Sequence, residues 1–91
     1  MSKLVTVTAL AGGAWQDSGG GRDWGKEQWK GRDARTRSGG VLRVAQDGEG
    51  EDLQVFTFDD PGRMACQTRA SFGNNTPDKA IVAYLKAMLK T

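Results

Sequence analysis

Histidine is missing from this sequence altogether, and cysteine occurs once, as Cys66. Those two facts exclude a Ser-His-Asp triad, a Cys-His dyad, a histidine-ligated metal, a zinc ribbon and an intrachain disulfide. Proline occurs only at Pro61 and Pro77, and no apolar run reaches the roughly 18 residues that a membrane-spanning helix needs. Leu4 to Ala11 alternates valine and threonine instead of forming the apolar stretch of a secretion signal, so the expected location is cytoplasmic. In that setting Asn74-Asn75-Thr76 is an accidental glycosylation triplet. Hydrophobic residues are also scarce, at 37% of 91, but 13 glycines account for most of the shortfall. A chain of this length builds one domain, residues 1–91. The composition points to a small non-enzymatic binding protein that needs neither cofactor nor metal.

Charge is present, and it is segregated. The formal net charge is +2. Residues 22–43 hold seven bases (Arg22, Lys26, Lys30, Arg32, Arg35, Arg37 and Arg43) against Asp23, Glu27 and Asp33. Residues 47–60 hold six acids and no base, and residues 61–91 return to net +4. Such blocks steer association with charged partners.

The patterning predicts an α+β fold: an antiparallel β-sheet of about four strands with one C-terminal helix packed on one face. Leu4 to Leu10 is rich in β-branched residues and reads as the first strand. Val41 to Ala45 reads as the second, followed by an acidic hairpin loop through Asp52. Leu53 to Phe58 is the third, with Leu53 and Val55 on one face and Phe56 and Phe58 on the other. Asp59-Asp60-Pro61-Gly62 has the residues of a type II turn, and Arg63 to Phe72 reads as the longest strand. Alternation in that strand puts Met64, Cys66, Thr68, Ala70 and Phe72 on the core face, which makes Cys66 a buried structural thiol. It puts Arg63 and Arg69 on the wet face. Thr76 as cap, Pro77 as first helical residue and Asp78 beside the positive helix end begin the helix. Ala80, Ile81, Tyr84, Leu85, Met88 and Leu89 then recur at helical spacing.

Residues 12–40 contain nine of the glycines and all three tryptophans, and they read as a long binding loop. A short helix from Asp23 through Trp24 and Trp29 to Gly31 is the one regular element its pattern offers. Several motifs in the chain fail on inspection. Gly20 to Lys26 matches G-x-x-x-x-G-K, but Glu27 stands where a phosphate loop needs serine or threonine. Asp47 to Asp52 alternates carboxylates without the glycine and glutamate of a calcium loop. Asp59 and Asp60 are turn residues before Pro61-Gly62, not a catalytic pair.

Arg22, Trp24, Lys26, Trp29, Lys30, Arg32, Arg35 and Arg37 interleave bases with aromatics, as phosphate binding and base stacking require. Arg35 and Arg37, two apart, would point to one side of an extended backbone, and Arg63 and Arg69 would extend the surface. Packing of the tryptophans in the core, with the arginines merely solvating a loop, is the competing reading.

In size, in the combination of a sheet with a helix such as Leu4–Leu10 with Thr76–Leu89, and in segregated charge, the chain resembles small phage-encoded anti-CRISPR proteins, in particular type I-F inhibitors. The resemblance implies stoichiometric binding to a bacterial CRISPR RNA-guided surveillance complex in the host cytoplasm. The contacts would be with protein subunits and guide RNA, and target DNA would be excluded. It implies no membrane and no small-molecule substrate. The helix entry Asn75-Thr76-Pro77-Asp78-Lys79-Ala80 is similar to that of HicB-like antitoxins, although Lys79 replaces an acid and no DNA-binding helix follows. A stand-alone single-stranded nucleic-acid binder is the alternative from another class.

Overall fold

The computed structural model describes residues 3–20, 29–47, 52–59 and 66–91. Among the described residues two helices, α1 (Lys3–Ala11) and α2 (Asp78–Leu89), flank five strands: β1 (Gln16–Gly20), β2 (Trp29–Arg35), β3 (Val41–Asp47), β4 (Leu53–Phe58) and β5 (Cys66–Phe72). The strands form one antiparallel meander in the order β1-β2-β3-β4-β5. The expected α+β class is present, with one more strand and one more helix than the pattern predicted.

The first correction is α1. Leu4 to Leu10 is helical, not a strand, and its buried residues are Leu4, Val7, Thr8 and Ala11. That spacing is one helical stripe. Valine and threonine lower helix propensity by only a few tenths of a kcal/mol each, roughly, and tertiary burial overrides such a margin. Thr8, fully buried, hides its polarity by donating its hydroxyl to the Leu4 carbonyl at 2.8 Å. Gly12, at φ 77°, then ends the helix as a left-handed residue, a conformation that favours glycine.

α1 and α2 lie on the same side of the sheet. Leu4, Val7 and Ala11 of α1, Leu42 and Val44 of β3, Leu53 and Val55 of β4, and Ile81 and Leu85 of α2 form the main core. Phe72 meets Tyr84 edge-on at 5.4 Å, which brings α2 over β5. Lys3 ties the two helix starts together: its Nζ is 2.9 Å from Asp78 Oδ1 and donates to the Thr76 carbonyl at 2.6 Å. The α2 cap is Pro77, with no side-chain hydrogen bond, so Thr76 is not the cap. At the other end, the β2–β3 turn supplies two donors at 3.0 Å: Arg37 N–H to the Leu89 carbonyl, one that helix geometry leaves unpaired, and Ser38 N–H to the Thr91 carbonyl just beyond the helix.

Residues 12–40 are the second correction. β1 and β2 occupy much of this stretch, and Trp29 to Gly31 is strand, not the end of a helix. Glycine is a poor strand former, but β2 pairs with β3 at seven consecutive positions, and that ladder outweighs local preference. Residues 23–28 of the expected helix, most of the acidic loop and the Pro61-Gly62 turn lie outside the described residues.

β5 carries the third correction. Its register with β4 shifts between Thr57 and Phe58, so that Thr57 pairs with Thr68 but Phe58 with Cys66. One residue, Gln67, is extra, and a bulge reverses the alternation at that point. Ala70 and Phe72 keep the core side, whereas Cys66 moves to the Phe58 side and is exposed. The thiol donates to the Thr68 carbonyl at 3.2 Å.

Candidate binding surface on the open sheet face

Strand alternation sorts the sheet residues into two faces. The face away from the helices has its own apolar cluster, Val41, Ala45, Phe56 and Phe58, each less than a tenth exposed. Phe56 and Phe58 stack with centroids 6.4 Å apart and planes inclined by 24°. Above them lie guanidinium groups: Arg43 sits 5.4 Å from the Phe58 centroid and Arg69 5.5 Å from that of Phe56. A cation over a ring keeps its charge directed outward while its plane shields the aromatic from water.

Cross-strand pairing decides which charges gather here. Asp33 of β2 stands opposite Arg43 of β3. Arg43 binds it through two bonds, Nε to Oδ1 at 2.8 Å and Nη2 to Oδ2 at 2.9 Å. Two parallel bonds fix the guanidinium plane. Arg35 pairs with Val41 on the same face, is exposed, and donates through Nη1 to the Gly39 carbonyl at 3.2 Å. Among the described side chains this face therefore presents Arg35, Arg43 and Arg69 against Asp33 alone.

The residues expected at the site divide. Arg35 and Arg69 are on the open face. Arg32 is on the helix side: its Nη1 donates to Thr8 Oγ1 at 3.1 Å and its Nε to Asp17 Oδ1 at 3.3 Å. It is a strut between sheet and α1, not a surface contact. Lys30 shares that parity and is exposed. Arg37 is exposed but belongs to the turn after β2, so it does not continue the alternation of Arg35 as expected. Arg22, Trp24, Lys26 and Arg63 lie outside the described residues, as does the Trp29 side chain. Sequence reasoning placed Phe56 and Phe58 on their own face but did not join them to Arg43 and Arg69. The available signal was that phenylalanines two apart in a strand must share a face, and that a second apolar face needs cover.

An open cleft of about 440 Å³ lies where the β2–β3 turn, the end of β4 and the C-terminus of α2 meet. Its hydroxyls are engaged with one another or with backbone: Thr36 with Ser38, Thr57 with Thr68, and Thr91 with the Met88 carbonyl. The cleft reads as a joint between elements. Among the described residues no group of histidine, cysteine, aspartate or glutamate could hold a metal ion, and no helix is long and apolar enough to cross a membrane.

No family model matches the chain, and neither a curated protein nor a solved structure does.

Proposed function

We propose that this protein is a non-enzymatic binding protein that docks the open face of its sheet onto a phosphate-bearing surface. The observation that carries the reading is the placement of Arg43 and Arg69 over a buried Phe58–Phe56 pair, with Arg35 on the same face and, among the described side chains, Asp33 as the one acid beside them. Guanidinium groups bind phosphates in planar, two-pronged fashion. Guanidinium groups already seated over aromatic rings have less freedom left to lose when they bind. The rings themselves are too covered to stack on bases, so the arginines make the contact. The proposed partner is the RNA-guided CRISPR surveillance complex implied by the sequence resemblance, whose guide RNA and protein subunits offer a mixed surface. Occupying that surface would exclude target DNA.

The second reading is a stand-alone single-stranded nucleic-acid binder, and the same arginine face favours it. One titration separates them. Labelled RNA, labelled DNA and a purified surveillance complex are each titrated with the protein at low and moderate salt. Binding to the complex that survives moderate salt, and falls about tenfold or more in Arg35→Gln/Arg69→Gln, supports the inhibitor reading. Tight, steeply salt-dependent binding to free strands, with none to the complex, replaces it by the second reading. Binding unchanged in the double variant overturns both.

A further inference from the structure

The two edges of the sheet are built differently. β1 has five residues, its register with β2 slips between Asp17 and Gly20, and the Asp17 carboxylate is 83% exposed. A bulge and an outward charge are devices that stop an edge from pairing. β5 has seven residues with no proline, glycine or acid, and Arg69 is its one charge. All of its residues except Ala70 and Phe72 are exposed. Its bulge lies at one end, and its one charge, Arg69, is drawn over the Phe56 ring of the inner neighbour β4, so Thr68 to Phe72 runs regular along the edge.

The β2–β3 turn determines which backbone groups face outward. Thr36 N–H donates to the Gly40 carbonyl at 3.0 Å, so Ala34 and Leu42, two residues further on, also form a hydrogen-bonded pair. Parity alternates across each following strand. Val41, Arg43 and Ala45 turn to β4, and Leu53, Val55 and Thr57 turn to β5. Thr68, Ala70 and Phe72 turn back to β4, in agreement with the Thr68 N–H donating to Thr57 Oγ1 at 3.1 Å. Arg69 and Ser71 therefore direct their N–H and C=O groups out of the sheet.

We infer that this edge pairs with the same edge of a second copy of the chain, antiparallel, about a two-fold axis at Ala70. Three symmetric registers use the outward groups. Centring on Arg69 sets two guanidinium groups directly opposite each other, which is repulsive. Centring on Ser71 draws on Gly73, whose carbonyl already accepts from Thr76 N–H at 3.0 Å. Centring on Ala70 pairs Arg69 with Ser71 of the partner subunit, and the reverse, with backbone bonds both ways. Ala70 then meets Ala70 of the partner subunit, and Thr68 faces Phe72 of the partner subunit on the helix side. The contact is closed and isologous, so it stops at a dimer. This inference is independent of what the open face binds.

Sedimentation of the full chain over a hundredfold concentration range should give an average mass rising from 9.8 kDa towards twice that value. Arg69→Pro removes an outward N–H and no bond to β4, so it should keep the circular-dichroism spectrum and sediment as a monomer. Cys66→Ser with Ala70→Cys should crosslink on oxidation, because the axis sits at a non-hydrogen-bonded pair, whose Cα atoms approach to about 4.5 Å, within disulfide reach. Wild-type Cys66, set opposite Asn74 of the partner subunit, should not crosslink. A monomer at every concentration overturns the inference. So does a folded Arg69→Pro variant that stays dimeric, or a cysteine at position 70 that crosslinks no faster than wild type.

Discussion

Arg43 does two things at once: its guanidinium is held by Asp33 at 2.8 and 2.9 Å, and it lies over the Phe58 ring. Asp33 fixes that geometry at the cost of cancelling one positive charge. Asp33→Asn should therefore lower stability by about 1 kcal/mol, as expected for losing a charged hydrogen-bond partner. It should also tighten binding to a phosphate ligand and steepen the salt dependence by about one ion, measured by titration at several salt concentrations. Thr8 and Arg32 make a complementary case. Thr8 is fully buried and its hydroxyl accepts from Arg32 at 3.1 Å. Thr8→Val should cost about 1–2 kcal/mol in denaturant unfolding and leave ligand binding unchanged, because Arg32 supports α1 and does not face the ligand. A change at Gly40 should act on stability too. A Cβ there would run into the Phe58 carbonyl oxygen, so Gly40→Ala should lower Tm by several degrees, for a loss of about 1–3 kcal/mol.

Among the elements, α1 separates local preference from tertiary fit most clearly. Val5-Thr6-Val7-Thr8 is a strand pattern by propensity, while Leu4, Val7, Thr8 and Ala11 form a helical stripe by position. The two patterns overlap in nine residues, and only the presence of a sheet face to cover selects the helix. Val5, 37% exposed, provides a test. In a helix, Val5→Ala should leave stability level or raise it by a few tenths of a kcal/mol, roughly. In a strand the same change would lower it. The glycine-rich stretch failed as a loop prediction for a related reason. β2 contains Gly31 and three charged residues besides Lys30 and is recognisable as a strand only through its partner β3. By contrast β3, β4 and α2 stood out in the sequence, because their apolar residues repeat with the period of the element they form. The bulge at Gln67 left no such mark, and with it went the side on which Cys66 lies.

At the scale of the whole molecule, among the described residues, the helices cover one face of the sheet, and Arg43 and Arg69 lie over phenylalanines on the other. Composition and charge lead to the expectation of a binding protein with a basic segment, but the arginines of this face do not come from one stretch of neighbouring residues. Arg35 comes from β2, Arg43 from β3 and Arg69 from β5, set on one face by ladder register, with Arg43 and Arg69 over Phe58 and Phe56 of β4. Such a constellation is invisible to linear spacing. If this face is the docking surface, ligand contact must register there and not on the helices. The most direct measurement is backbone amide NMR of the labelled protein during titration with a short single-stranded RNA. The predicted result is shifts concentrated at Arg35, Arg43, Phe56, Phe58 and Arg69, with Val7, Ile81 and Leu85 unmoved. Shifts confined to α1 and α2, or to the acidic stretch around Asp52, would contradict it.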